Sequence, residues 1–402
     1  AALWFRMGVR RATMDDFEAI AELERYAYDL PPDYMEMAKD RFRLSYDEHF
    51  LVEENGRLVA TTRLVELEQN VRQTWKKMGG VSMVATSPEA RRRGHYRRLM
   101  IHMTEYMHDN DFATSVLYPF KDTFYGAFGY VNCAPMLRVV ANPAHLKRWK
   151  LPSGYSVERM PYGDAQEHYK SVQIAVGERT HGATRRSSKR WEELSIGTKS
   201  NVAVAFGPDG SPEGVLISQH KGYANLYGND DMGQMRVREW LWTNTDARSA
   251  LLNYVHLHSD QILRVELPVN PLSDDYYQWI EGRNIMEMNT GLPFMARCVS
   301  VQKALEGLPA SLEGKAIFRV EDPLCAWNNQ TFQVKAESGQ LTVEPLEDSK
   351  ADTTISIEGV SALVYGTMTA SELVPYGWIS GAIPNLIMDW FPRAYAWMYE
   401  QY

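Results

Sequence analysis

The chain has 402 residues, with 43 Lys plus Arg against 51 Asp plus Glu, for a formal net charge of -8. At roughly 100 to 200 residues per domain this length predicts two to four domains rather than one core. Hydrophobic residues at 45% and charged residues at 23% exclude a disordered, collagen-like or coiled-coil chain, and the acidic balance disfavours a polyanionic partner for the molecule as a whole.

Thr13-x-x-Asp16 reads as a capping box, and Phe17, Ile20, Ala21 and Leu23 follow at helical spacing. Pro31-Pro32 ends that helix, and a second runs to about Leu44. His49 to Glu66 alternates around Asn55-Gly56, which predicts a hairpin. Gly79-Gly80 is expected to open a strand, Val81 to Thr86, that runs through Ser87-Pro88 into Arg91-Arg-Arg-Gly94. A helix then carries Tyr96, Leu99, Met100, Met103 and Met107 on one face, followed by a strand at Ala113 to Leu117 and a short helix at Phe124-Tyr125. This order predicts an α/β mixed-sheet unit.

The second third repeats the layout. It has a hairpin from Val202 to Gln219 about Pro208-Asp-Gly210, a strand Met235 to Trp242, a helix Asp246 to His258 and a strand Ile262 to Leu267. Its strand-to-helix corner, Trp242-Thr-Asn-Thr-Asp246, has no glycine and no arginine cluster. Beyond Leu308-Pro309 short strands are expected at Ala316 to Glu321, Thr331 to Val334, Leu341 to Pro345 and Thr353 to Glu358. A capping box at Thr369-x-x-Glu372 and a last helix starting at Pro392 close the chain.

Chemistry concentrates in Arg91-Arg-Arg-Gly-His-Tyr-Arg-Arg98, five arginines at the mouth of a helix. Free N–H groups and the positive dipole end favour an anion there, Gly94 lets backbone approach phosphate oxygens, and arginine supplies forked donors. A solvated basic helix face and a nucleic-acid patch are the competing readings of the same residues. A P-loop is excluded, because Gly-x-x-x-x-Gly-Lys-Ser/Thr is absent.

Val-x-x-Val-x-Thr-x-Pro-x-x-Arg-Arg-Arg-Gly, followed by Phe124-Tyr-Gly-x-Phe-Gly-Tyr130, resembles the acetyl-CoA motif of the GNAT acetyltransferases. Arg91 and Gly94 meet the superfamily pattern, whereas Tyr96 replaces its final small residue. The whole chain resembles the enhanced intracellular survival (Eis) family, with Phe294 to Val299 matching the junction into its third domain. That resemblance implies an α/β (α+β) chain of two tandem GNAT-type mixed-sheet domains and a sterol-carrier-like C-terminal domain. The expected boundaries are 7–145, 146–292 and 293–402, with the second GNAT domain degenerate.

The resemblance further implies that acetyl-CoA is the cosubstrate. Backbone at Met83, Val84 and Ala85 would bind the pantetheine arm like an added strand, and an amide near Val84 would stabilise the oxyanion. Amides from Arg92 through Gly94 and His95 to Tyr96, with the side chains of Arg91, Arg92 and Arg93, would hold the pyrophosphate. Tyr125 matches the general acid: a phenol with a pKa of about 10 is suited to protonating a departing thiolate. Tyr130 is expected to pack. The terminal carboxylate, here on Tyr402, would serve as base or amine anchor.

The implied acceptor is a primary amine of an aminoglycoside-like, polyamine-like or lysine molecule, with Asp29, Asp33, Tyr34, Glu36 and Glu400 as candidate residues to attract it. A hydrophobic-ligand carrier or non-catalytic acyl-CoA-binding protein is the alternative. His49, His102 and His108 read as surface or helix residues without metal spacing, and no metal is expected. Cys133, Cys298 and Cys325 lie far apart, which predicts a reducing, cytoplasmic setting without a disulfide framework. No window approaches the ~18 apolar residues of a membrane span, and the residues before Met7 lack the layout of a signal peptide. A homo-oligomer, a hexamer by the resemblance, is expected.

Overall fold

The computed structural model describes residues 8–31, 34–147, 149–196, 200–221, 233–281, 284–291, 293–346, 350–398 and 400. The chain divides into two compact units: Ala1–Ala134 with His181–Ile196 and Pro293–Tyr402, and Pro135–Thr180 with Gly197–Leu292.

The first unit begins with β1 (Val9–Arg11), α1 (Phe17–Tyr28), α2 (Tyr34–Ser45), β2 (His49–Glu54), β3 (Arg57–Val71) and β4 (Thr74–Thr86). It continues through α3 (His95–Asp109), β5 (Thr114–Leu117), α4 (Asp122–Gly126) and β6 (Val131–Asn132). The capping box forms, with the Thr13 N–H donating to the Asp16 carboxylate at 2.7 Å. The sheet order is β1-β2-β3-β4-β5, then Met295–Cys298, then β6. The inserted strand pairs antiparallel with β5 from Met295↔Leu117 to Cys298↔Thr114.

The stripe on α3 packs as its spacing predicts. Leu99, Met100, Met103 and Met107 have no exposed surface and meet Phe50, Leu64 and Val81 of the sheet. Full burial is worth about 1.5–3 kcal/mol for such a side chain. Gly79 does not open β4, which starts at Thr74; it makes room for this helix, because a Cβ there would lie 2.5 Å from Met107 Sδ. The hairpin joining β3 to β4 turns on Arg72 and Gln73, with φ of 50° and 65°.

The sheet's other core is shared with the C-terminal region. There a five-stranded sheet runs in the order Gln340–Leu346, Thr331–Glu337, Gly314–Glu321, Thr353–Ser356, Ile379–Gly381. Phe318, Phe332 and Val334 of that sheet join Val65, Met78 and Val116 of the first in one cluster. The strand expected to reach Glu358 stops at Ser356, whose side chain caps the helix Ile357–Tyr365 by accepting from Gly359 N–H. The second Thr capping box forms, with Thr369 N–H donating to Glu372 at 2.8 Å. The helix expected from Pro392 is absent over the described residues 392–398. Its amides are used elsewhere, Ala394 N–H on the Gly366 carbonyl at 2.9 Å and Trp397 N–H on the His181 carbonyl at 2.7 Å, so the segment forms no helix.

The second unit has its own seven-stranded sheet, in the order Ile285–Thr290, Leu137–Ala141, Arg264–Val269, Gln234–Trp242, Pro212–Lys221, Asn201–Phe206, Ser156–Met160. The helix Thr245–His256 buries Ala250, Leu251 and Val255 against Leu216, Val237 and Val265.

Candidate active site

Strands β3 and β4 pair regularly from Val71↔Thr74 to Arg63↔Ser82 and then resume at Thr61↔Ala85. Thr62 therefore faces both Met83 and Val84, which is a β-bulge, and Met83 takes a left-handed φ of 49°. On its other edge β4 pairs in parallel with β5 from Met78↔Thr114 to Val81↔Leu117 and no further. On that edge no described strand sits beside residues 82 to 86, which leaves a gap where backbone N–H groups can meet a ligand. Tyr28, on α1, donates its hydroxyl to the Val84 carbonyl at 2.8 Å.

The corner that follows is shaped for an anion. Arg92 and Gly94 have φ of 62° and 81°, an alternation that turns successive N–H groups toward one point. Gly94 is the N-cap of α3 and brings no side chain to fill the helix mouth, so the first-turn N–H groups stay available and the dipole adds to them. A cavity of about 710 Å³ spans gap and corner, lined by Tyr28, Val84, Ala85, Arg91, Arg92, Gly94, His95 and Tyr96, with Phe120, Phe124 and Phe128 as an aromatic wall.

Arg91, Arg92 and Arg93 are exposed, and the first two line the cavity. The Arg91 Nε donates to the Thr86 carbonyl at 3.2 Å, and the Arg93 guanidinium meets Glu54 at 2.8 Å. That pair is solvated, with side-chain exposures of 55% and 37%, so it holds Arg93 weakly. His95 is buried, neither ring nitrogen has a hydrogen-bond partner among the described residues, and burial lowers its pKa toward the neutral form.

Tyr125, on α4, lies directly behind the lining. Its ring meets Tyr96 edge-on at 6.1 Å, it is 2% exposed, and burial pushes its pKa up while the Tyr96 hydroxyl pulls the other way. Tyr130 is in the core, its hydroxyl 2.7 Å from Ser115 Oγ. Ser115 in turn donates to the Gly79 carbonyl at 3.0 Å, so Tyr130 is the donor to Ser115.

The acceptor candidates are not brought together. Asp29 is exposed at the C-cap of α1 with a φ of 50°, and Glu36 is exposed in the first turn of α2. Tyr34 is half-buried, its hydroxyl donating to Glu24 at 3.0 Å. Asp33 and Tyr402 lie outside the described residues. Glu400 is fully buried, its carboxylate 2.5 Å from Arg186 Nε and 2.9 Å from Arg190 Nε, so its charge is already neutralised rather than offered to a cation. His49, expected at the surface, is 4% exposed beneath α1. Sequence reading missed Tyr28 and Glu24; Glu24 falls four residues after Ile20 and seven after Phe17, on the apolar stripe of α1, and that spacing was its signal.

The corresponding corner in the second unit is closed. Asn244 caps the helix Thr245–His256 with its own side chain, accepting from Ala247 N–H at 2.8 Å, and Glu213 accepts from Asn244 at 2.8 Å. Asp246 adds a negative charge to the first turn, where an anion would bind.

Residues 8–132 match the sequence profile of an acetyltransferase (GNAT) domain, residues 182–291 match a second acetyltransferase (GNAT) domain profile, and residues 301–399 match a sterol carrier protein domain. The fold is therefore two GNAT domains followed by a sterol carrier protein domain, and the chain is an acetyltransferase of the GNAT type. Among solved structures it is similar to a GCN5-related N-acetyltransferase from Anabaena variabilis, at 19% identity and a TM-score of 0.84 over 97% of this chain and 98% of that one. A GCN5-related N-acetyltransferase from Kribbella flavida matches at 18% identity and a TM-score of 0.82 over 98% of both chains. Eis1 from Mycobacterium abscessus matches at 16% identity and a TM-score of 0.77 over 98% of this chain and 100% of that one. No curated protein matches the sequence. Among the described residues no group of three or more His, Cys, Asp or Glu is arranged to hold a metal, and no helix is long and apolar enough to cross a membrane.

Proposed function

We propose that this chain is an acetyl-CoA-dependent N-acetyltransferase of the enhanced intracellular survival type, which transfers acetyl directly to a primary amine of an aminoglycoside-like, polyamine-like or lysine acceptor. The observation that carries this reading is the continuous cavity joining the unpaired edge of β4 to the uncapped mouth of α3. Its two ends suit the two ends of one ligand, an amide-bearing arm along residues 83–85 and a diphosphate at residues 91–96. Val84 N–H lies in the bulge, where a fixed donor stabilises charge developing on a thioester oxygen. Tyr125 is the acid for the departing thiolate, and the aromatic wall excludes water from that step.

The 7–145 segment carries the chemistry in this reading. The 146–292 domain is degenerate, a role supported by the side-chain cap and acidic residues at its corner. The test is thiol release from acetyl-CoA with a panel of primary amines, alongside calorimetric titration with CoA. Amine-dependent turnover and CoA binding that is lost in Gly94→Asp support the assignment; CoA binding unaffected by that change removes the cofactor site. A hexamer belongs to the same reading, and light scattering after size exclusion measures it.

A further inference from the structure

Glu24 lies on α1 one turn before Tyr28, so the two side chains leave the same face of the helix, and Tyr28 reaches the bulge at Val84. Glu24 is 4% exposed. Its Oε2 accepts from the Tyr34 hydroxyl at 3.0 Å, while Oε1 has no hydrogen-bond partner among the described residues. Facing Oε1 at 3.8 Å is Nε2 of His49, which is also buried. The other His49 nitrogen, Nδ1, is 3.1 Å from the Ser45 carbonyl, and a carbonyl only accepts, so Nδ1 carries the hydrogen and Nε2 presents a lone pair. Two acceptors thus confront each other without a donor between them, so the ionised carboxylate is left a hydrogen bond short and is relieved by taking up a proton. Of Glu24, His49 and Tyr34, Tyr34 alone is only half-buried.

We propose that Tyr34 and Glu24 form a proton relay for the acceptor. The ammonium of the incoming amine gives a proton to the Tyr34 hydroxyl oxygen as that hydroxyl passes its own proton to Glu24 Oε2. The products are a neutral amine with a free lone pair, an unchanged phenol and a protonated Glu24 carboxyl. The inference rests on the acyl-transfer reading above and adds to it the group that readies the nucleophile.

The surroundings fit a proton that comes and goes. Glu24 faces Tyr28 from its own helix, Tyr34 from α2, His49 from β2 and Arg63 from β3. Burial raises the carboxyl to about 7, against opposing pulls from Tyr34 and Arg63, and holds His49 neutral. Arg63 is itself paired with Glu48 at 2.6 Å and Glu193 at 2.5 Å, which limits its hold on Glu24. A buried carboxyl of this kind matches an amine better than an exposed one with a pKa of about 4.

The experiment measures kcat against pH with acetyl-CoA and two probes: spermidine, whose amines arrive charged, and an aryl hydrazide, which is neutral at pH 7. The wild-type rate with spermidine is expected to rise through a limb near pH 7. Glu24→Gln and Tyr34→Phe are expected to abolish that limb and to slow spermidine about 100-fold. Both should leave the hydrazide rate within about twofold and CoA binding unaltered. Unchanged pH profiles in the two variants, or equal losses with both probes, overturn the relay while acyl transfer stands. Absence of thiol release from the wild type with every amine overturns the acyl-transfer reading and the relay with it.

Discussion

The hydroxyl of Tyr28 donates to the carbonyl of Val84 at 2.8 Å, so a residue of the first helix ties down the bulged end of the strand that borders the cavity. Removing one such hydrogen bond costs about 1 kcal/mol, roughly a fivefold change in a rate or equilibrium constant. Tyr28→Phe is therefore expected to lower kcat about fivefold by loosening the Val84 amide. The ratio of kcat to the acetyl-CoA KM, measured beside kcat, tells whether the loss falls on the chemical step.

Tyr125 and Tyr130 are five residues apart, and their surroundings give them different work. Tyr125→Phe is expected to cut turnover by at least about 100-fold with CoA affinity retained. Tyr130→Phe removes only the donor to Ser115, so it should cost about 1 kcal/mol of stability and little rate. Stopped thiol-release assays and thermal melts on the pair check both; similar rates in the two variants would remove Tyr125 as the acid.

Arg93, next to the cavity-lining Arg92 and Gly94 in the chain, is paired with Glu54. Glu54→Gln releases the guanidinium, and the KM for acetyl-CoA is expected to fall a few-fold at low ionic strength and to return to the wild-type value in high salt. Gly94→Ala acts in the opposite direction. With a φ of 81° and open space around its Cβ, the change is opposed by backbone strain alone, about 1–2 kcal/mol, and the KM should rise.

His181 predicts an acid-sensitive fold. Its Nδ1 accepts from the Arg72 backbone N–H at 3.0 Å and its Nε2 donates to the Tyr365 carbonyl at 2.9 Å, so only the neutral ring satisfies both contacts. Burial lowers its pKa from 6.5 to about 4. A depressed folded-state pKa means that its contribution is complete above pH 6.5 and is lost as pH falls toward about 4, because the unfolded chain takes the proton first. His181→Gln keeps an acceptor and a donor without the titration. The difference in melting temperature between pH 7 and pH 5 should shrink in that variant; an unchanged difference would show that the acid sensitivity lies elsewhere.

The parts of this molecule that were legible in the sequence are those fixed by local pattern. The methionine stripe of α3, both capping boxes and the arginine-glycine corner each depend on residues within about a turn of one another. The bulge at Met83-Val84 was not legible, because it exists only in the register against Thr62. The Arg72-Gln73 turn carries no Asn or Gly signal; it is held from outside, by Arg72 donating to the carbonyls of Leu363 at 2.8 Å and Pro392 at 2.7 Å. The segment after Pro392 looked helical by its cap, but its amides find partners in remote segments. Glu400 read as a free carboxylate because Arg186 and Arg190, its partners, lie far away along the chain.

The strand Met295–Cys298 completes a sheet whose other members are all made far earlier, apart from the short strand Thr184–Arg185 beside β3. At about 5–20 residues per second, a ribosome needs on the order of ten seconds or more between releasing β5 and releasing its neighbour. During that interval the nascent chain displays a raw sheet margin, Thr114 to Leu117, with nothing to zip onto it. Vectorial synthesis therefore makes the first unit wait for Met295–Cys298, and a chain cut short before Met295 presents a sticky sheet edge rather than a smaller folded protein.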